Sequence, residues 1–138
     1  MINIFRYPDL DTVIAIHENI LRQYGGLKGI RDRGILDGCL KSAFSGFGNE
    51  EFFKTPMEKI AKITVSLIRN HPFNDGNKRT GIAVMELLLN MNGYKLKIDD
   101  DLLYKLANDI AIGKMLVADL IACLNKHALV QKNATLSF

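Results

Sequence analysis

The segment "IRNHPFNDGNKRTG", residues 68–81, sets one histidine, one carboxylate, three asparagines, a lysine and two arginines between two apolar, helix-patterned runs. A connector needs only a glycine and a polar residue or two. Near neutral pH the imidazole of His71 can take a proton from an incoming hydroxyl. Asp75 is the lone carboxylate in a cationic setting, where it would repel phosphate. A divalent ion shared between Asp75 and phosphate oxygens removes that conflict, and Mg²⁺ usually binds in this way. One helix should end near Arg69-Asn70 and another begin near Gly76-Asn77. The loop therefore lies at a fresh helix N-terminus, where free N–H groups and the helix dipole suit an anion. Gly76 lets the backbone approach a ligand closely. Lys78 and Arg79 stand in the first helical turn, where the dipole favours acids; a bound polyphosphate would account for that local conflict. Phe73 is apolar and would anchor the loop in the core. A base, a metal carboxylate and a phosphate cradle on one loop are the parts needed for transfer from a nucleotide.

Taken singly, these residues have plainer uses. Pro-Phe-Asn-Asp-Gly-Asn is good turn chemistry, His71 could satisfy a helix C-terminus, and Asp75 could cap the next helix. The conjunction decides against chance. At about 5% usage per residue type, six specified positions in nine residues coincide with a probability on the order of 10⁻⁸ per site.

The run "HPFNDGNKR" is similar, at every specified position, to the H-x-F-x-D-G-N-x-R pattern of the Fic/Doc superfamily. The resemblance is closest to the Doc (death-on-curing) branch, in which a Lys follows the Asn as Lys78 does here. Fic adenylyltransferases usually carry Gly at that position. The upstream "YGGLKGIRDRGILDGCL" and the later "NGYKL" resemble Doc stretches too, so the likeness runs from about Leu10 to the last helix. It implies that His71 is a general base toward a target hydroxyl and that Asp75 holds Mg²⁺ on the nucleotide phosphates. Arg69, Asn74, Gly76, Asn77, Lys78 and Arg79 become the nucleotide-binding set, with Lys78 and Arg79 neutralising charge during transfer. It further implies a toxin that moves the γ-phosphoryl of ATP, or another nucleoside triphosphate, to a Ser/Thr hydroxyl of elongation factor Tu. That would stop translation, with a small antitoxin restraining the toxin in trans. No Ser or Thr is followed four residues later by Glu, so the self-inhibitory helix pattern of some Fic proteins is missing. Two other readings stay open: AMP transfer on the same fold, and a non-catalytic binding module working through an antitoxin-like partner. Ile82 stands where the AMP-transferring pattern has a second Arg, which disfavours the nucleotide pose used for AMP transfer.

The elements that must position this loop are helical. The chain has 138 residues, 48% hydrophobic and 24% charged, with net charge +3. That composition fits one globular domain, here expected over 1–138, with no basic stripe for direct nucleic-acid binding. No apolar run is long enough to span a bilayer, no signal peptide is visible, and a cytoplasmic protein is expected. Pro8 and Asp9 start a first helix that Gly25-Gly26 stops. Ile35, Leu36, Cys39, Leu40, Ala43 and Phe44 share one face of a second. Pro56 opens a strongly amphipathic third. "RTGIAVMELLLNMNGY" is apolar on nearly all sides, which points to a centrally buried helix closed by Asn92-Gly93. Asp99 to Asp101 read as the acidic start of a fifth helix, and "KMLVADLIACLNKHALV" supplies a sixth. Strand signals are nearly absent. The expected fold is all-α, about six helices around a central one. Cys39 and Cys123 read as buried free thiols. His17 reads as a core histidine with a local hydrogen bond, and His127 is given no function. Gly25, Gly26, Gly29 and Arg31 serve either as a plain turn or as a target-docking border of the site.

Overall fold

The computed structural model describes residues 4–131. Six α-helices carry the fold: α1 (Leu10–Tyr24), α2 (Arg33–Lys41), α3 (Pro56–Arg69), α4 (Asn77–Met91), α5 (Asp100–Ala111) and α6 (Val117–His127). Local chemistry accounts for their starts. Asp9, Asp32 and Asp99 each accept a first-turn N–H of α1, α2 and α5, the usual N-cap arrangement. Thr55 and Glu58 form a reciprocal capping box at α3, with Pro56 as its first residue. Gly25 ends α1 in a left-handed conformation.

The mostly α architecture around a buried helix stands as expected, but that helix is α3. Every residue of α3 from Met57 to Ile68 is buried except Glu58 and Lys62. It packs against α4 above all, and also against α2, α5 and α6. Helix α4 buries one face, through Thr80, Gly81, Val84, Met85, Leu88 and Leu89. Its apolar Ile82 and Ala83 face a surface groove instead. A helix that packs on the core with one side and lines a groove with the other reads in sequence as apolar all round.

Strand content exceeds the expectation, though every strand is short. β1 (Gly46–Phe47) pairs antiparallel with β2 (Glu50–Glu51). β3 (Tyr94–Leu96) pairs antiparallel with β4 (Ala128–Val130). The last helix thus stops at His127, and the apolar Ala128-Leu129-Val130 continues as strand rather than helix. Helix α2 likewise stops at Lys41, and Ser42–Phe44 form a single 3-10 turn. Both cysteines are free; Cys39 is buried and Cys123 only partly so. Burial pushes the Cys39 thiol up to about 11. Among the described residues no helix is long and apolar enough to cross a membrane.

Candidate active site

The loop between α3 and α4 is shaped at both ends by left-handed residues. Asn70 closes α3, its N–H donating to the Ser66 carbonyl. The next residue, His71, has φ +49° and is the only non-glycine with positive φ among the described residues. This position after a helix normally takes glycine or asparagine. Pro72 follows and biases its predecessor toward extended conformations. His71 is therefore held against two local preferences, and its side chain is exposed. At the other end Gly76 has φ +76° and precedes α4. A Cβ there would stand 3.3 Å from the Leu21 side chain and 3.6 Å from the His17 ring. Glycine thus serves both the turn and the close approach to α1.

Two apolar or neutral groups pin the loop from inside. Phe73 is buried and its ring stacks on His17, with centroids 3.7 Å apart and planes 7° off parallel. The His17 Nε2–H donates to the Asp75 carbonyl at 2.8 Å; a carbonyl only accepts, so this nitrogen carries the proton. His17 is a core histidine as expected, but its partner is 58 residues away rather than local. Asn77 is buried, and its side chain meets both backbone groups of Phe73: Oδ1 accepts the N–H and Nδ2 donates to the carbonyl, each at 3.0 Å. Its amide thus serves the turn, and its backbone N–H is the group left for an anion.

From outside, residues 26–32 lie along the loop like a strap. Ile30 and Phe73 form an antiparallel bridge. The N–H groups of Arg31 and Asp32 both donate to the Pro72 carbonyl, at 2.8 and 3.1 Å, and the Asn74 N–H donates to the Gly29 carbonyl at 3.1 Å. Asn74 Nδ2 donates to the Lys28 carbonyl at 2.9 Å. The Arg31 guanidinium reaches the carbonyls of His71 and Asn70. No sequence signal marked this pairing, in which every bond uses at least one backbone group.

Asp75 is exposed, and its two oxygens each take one backbone N–H, from Leu27 at 3.1 Å and from Gly76 at 2.9 Å. These bonds hold its carboxyl below the usual carboxylate range, so it stays ionised under any physiological condition. Gly26 makes the contact possible: a Cβ there would stand 2.8 Å from Asp75 Oδ2. Lone pairs remain on both oxygens. Among the described residues no group of three or more His, Cys, Asp or Glu could cage a metal. A single ionised carboxylate beside a phosphate cradle fits Mg²⁺ held mainly through phosphate oxygens.

The cradle is the start of α4. No side chain caps it, so its first-turn N–H groups are free to meet an anion. Lys78 and Arg79 are exposed beside it. Lys78 Nζ donates to Asn108 Oδ1 on α5 at 2.8 Å, and Arg79 lies 4.1 Å above the Tyr24 ring. Arg69 points elsewhere. Its guanidinium donates to the Ile110 carbonyl at the end of α5, at 3.3 Å, and packs against Gly113. The loop thus gathers His71, Asn74, Asp75, Gly76 and Asn77, while Arg69 is engaged with α5. A mostly apolar groove of about 510 Å³ between α1, α4 and α5 opens beside Lys78 and Arg79 and includes Ile16, Ile20, Ile82 and Leu103. His71 and Asp75 do not line it.

The sequence profile described as the Fic/DOC family matches residues 7–89, from α1 to the end of α4. Among characterised proteins the chain is similar to "Protein kinase doc" of Escherichia phage P1. The two are 30% identical over 121 residues, which is 88% of this chain and 94% of that protein. It is also similar to "Toxin Doc" of Mycolicibacterium smegmatis, 35% identical over 78 residues, 56% of this chain and 60% of that protein.

Proposed function

The chain belongs to the Fic/DOC family, and from that membership we propose that it is a Doc-like toxin, a nucleotide-dependent protein phosphotransferase carried on one domain. The observation that carries the proposal is the loop itself. It presents an exposed His71 held in a strained conformation, an ionised Asp75 and an uncapped helix N-terminus, all fixed by partners on α1 and on residues 26–32. His71 takes the proton of a target Ser/Thr hydroxyl as that oxygen attacks phosphorus. The first turn of α4, through the backbone N–H groups that begin with Asn77 and the side chains of Lys78 and Arg79, binds and neutralises phosphate oxygens, while Gly76 makes the turn that lets them approach. Asp75 would hold Mg²⁺, which would supply positive charge to offset that of the phosphates during transfer. Arg69 and Asn74 act by support, Arg69 through α5 and Asn74 through the strap. The co-substrate is ATP, the setting the cytoplasm, and the target hydroxyl one of elongation factor Tu, as the resemblance to Doc implies.

Ile82 supports γ- over α-phosphoryl transfer. It faces the groove just beyond Lys78 and Arg79, so phosphates running that way meet an apolar wall rather than a second Arg. A triphosphate is better accommodated with its γ-phosphorus at the loop. The same groove suits restraint in trans: an amphipathic segment that folds into it covers Lys78 and Arg79, and a small antitoxin is the partner proposed.

The test is ATP labelled separately at the α and γ positions, incubated with Mg²⁺, this protein and elongation factor Tu. Label from the γ position alone should enter the target, with ADP released. Label from the α position alone would establish AMP transfer instead.

A further inference from the structure

We propose that Arg31 is a positioning residue, whose guanidinium fork holds the His71 backbone in its left-handed conformation and so aims the base. This inference rests on the phosphotransferase reading above. Arg31 lies 40 residues before His71, and its Nε–H donates to the His71 carbonyl at 2.6 Å. Its Nη2–H donates to the Asn70 carbonyl at 2.8 Å. The backbone N–H of the same residue donates to Pro72. Three successive carbonyls, those of residues 70, 71 and 72, thus end on one residue.

The chemistry fits arginine specifically. Nε–H and one Nη–H lie along one edge of a rigid plane, so they can meet two neighbouring oxygens at once. The first of these oxygens belongs to the residue that closes α3, where the helix dipole is negative and a cation is favourable. The second belongs to the one strained non-glycine of the described chain. A residue in that conformation persists only when its surroundings over-determine it. Here the surroundings are Arg31 on one side and the Phe73–His17 stack with the Asn77 clasp on the other. The second set fixes the loop from Phe73 onward. Only Arg31 fixes the peptide that follows His71 from the N-terminal side. Its side chain is exposed, with no burial in the core to lose, so its removal should disturb aim more than fold.

The experiment pairs transfer kinetics with the sign of the His71 φ, read by NMR from the intraresidue amide-to-α-proton distance. In Arg31→Met the positive-φ signature should disappear. The kcat for γ-phosphoryl transfer should fall about 10- to 100-fold, the scale of an ångström of misplacement. The Kd for Mg·ATP should hold, because the cradle on α4 is untouched. Methylguanidinium in solution should restore part of the rate. Arg31→Lys keeps the charge but loses the fork; it should give an intermediate rate, and it serves as the readout if Arg31→Met does not fold. A retained positive φ in Arg31→Met, or in Arg31→Lys if that variant must stand in, overturns the proposal. So does wild-type kcat, or equal loss of kcat and ATP binding. If the wild type transfers nothing while φ changes in the variant, the clamp stands and the phosphotransferase reading fails.

Discussion

His17→Phe separates what fixes the loop from what merely fills the core. The imidazole is 2% exposed and gives the fold two things: a ring stacked at 3.7 Å on Phe73 and one hydrogen bond of 2.8 Å to the Asp75 carbonyl. Phenylalanine keeps the first and removes the second. The lost bond has a net worth of about 0.5–1.5 kcal/mol, and a carbonyl left short of a partner adds about 1 kcal/mol or more if water does not reach it. Destabilisation of about 1–3 kcal/mol follows, a fall in Tm of roughly 3–12 °C for a chain of this size. His17→Ala removes the ring as well and should cost about 3–5 kcal/mol, the range for deleting a buried aromatic. In kinetics, by contrast, the two variants should nearly coincide. Once Asp75 loses its backbone anchor, most of the catalytic loss should already be present in His17→Phe, and His17→Ala should add little. Thermal unfolding followed by circular dichroism, and kcat for transfer at saturating ATP, make the comparison. A His17→Phe protein with wild-type Tm and wild-type kcat would refute the assignment of loop placement to this bond.

Other outcomes follow from the same geometry. His71→Ala should lower transfer about 10²- to 10⁴-fold while calorimetry shows nucleotide binding retained; His71→Gly should be equally inactive yet melt higher, since glycine relieves a positive φ that costs other residues about 1–2 kcal/mol. Lys78→Ala should reduce kcat more than it raises the Kd for Mg·ATP, because its charge is used on the transferring group, and a binding loss as large as the rate loss would contradict this. Asp75 is held below its ordinary value, so its contribution to stability is present above the unfolded carboxylate pKa and fades as pH falls through the lower folded one. In Asp75→Asn that acid-limb dependence should flatten in pH-dependent denaturation, and Mg²⁺ should no longer strengthen ATP binding. Expression of the wild type should slow bacterial growth and His71→Ala should relieve it; vigorous growth with abundant wild-type protein would count against the toxin reading.

The parts of this molecule that could be read from sequence are those set by local chemistry. Pro8, Asp9, Pro56 and the acids at 99–101 mark helix starts because caps act within one turn. The loop residues from His71 to Arg79 stood out by type and spacing as a candidate site. What could not be read is set by pairing at a distance. Residues 128–130 carry on the apolar pattern of α6 with no Gly or Pro to stop it, and only their partner at 94–96 makes them a strand. The prominence of α3 over α4 depends on which helices surround each one, while a groove makes α4 look more buried than it is. Residues 26–32 bind the loop chiefly through backbone groups, which every sequence possesses, so nothing in their side chains announced it. Arg31 was legible as a charged residue beside a turn; that it faces two carbonyls 39 and 40 residues away was not.

The strap also divides the molecule's stability. Its bonds to the loop are largely solvent-exposed and close a long stretch of chain, whereas α3 is sealed in the core. Contacts of this kind open in sub-global fluctuations at lower free energy than whole-chain unfolding. Amide hydrogens at Arg31, Asp32 and Asn74, all donated across the seam, should then exchange together and well before those of α3. Their shared exchange rate measures the population of molecules in which the helices are folded but the loop has been released. In that population the helices are folded and the loop is not held for chemistry, so conditions or partners that release the strap should lower activity before the core melts.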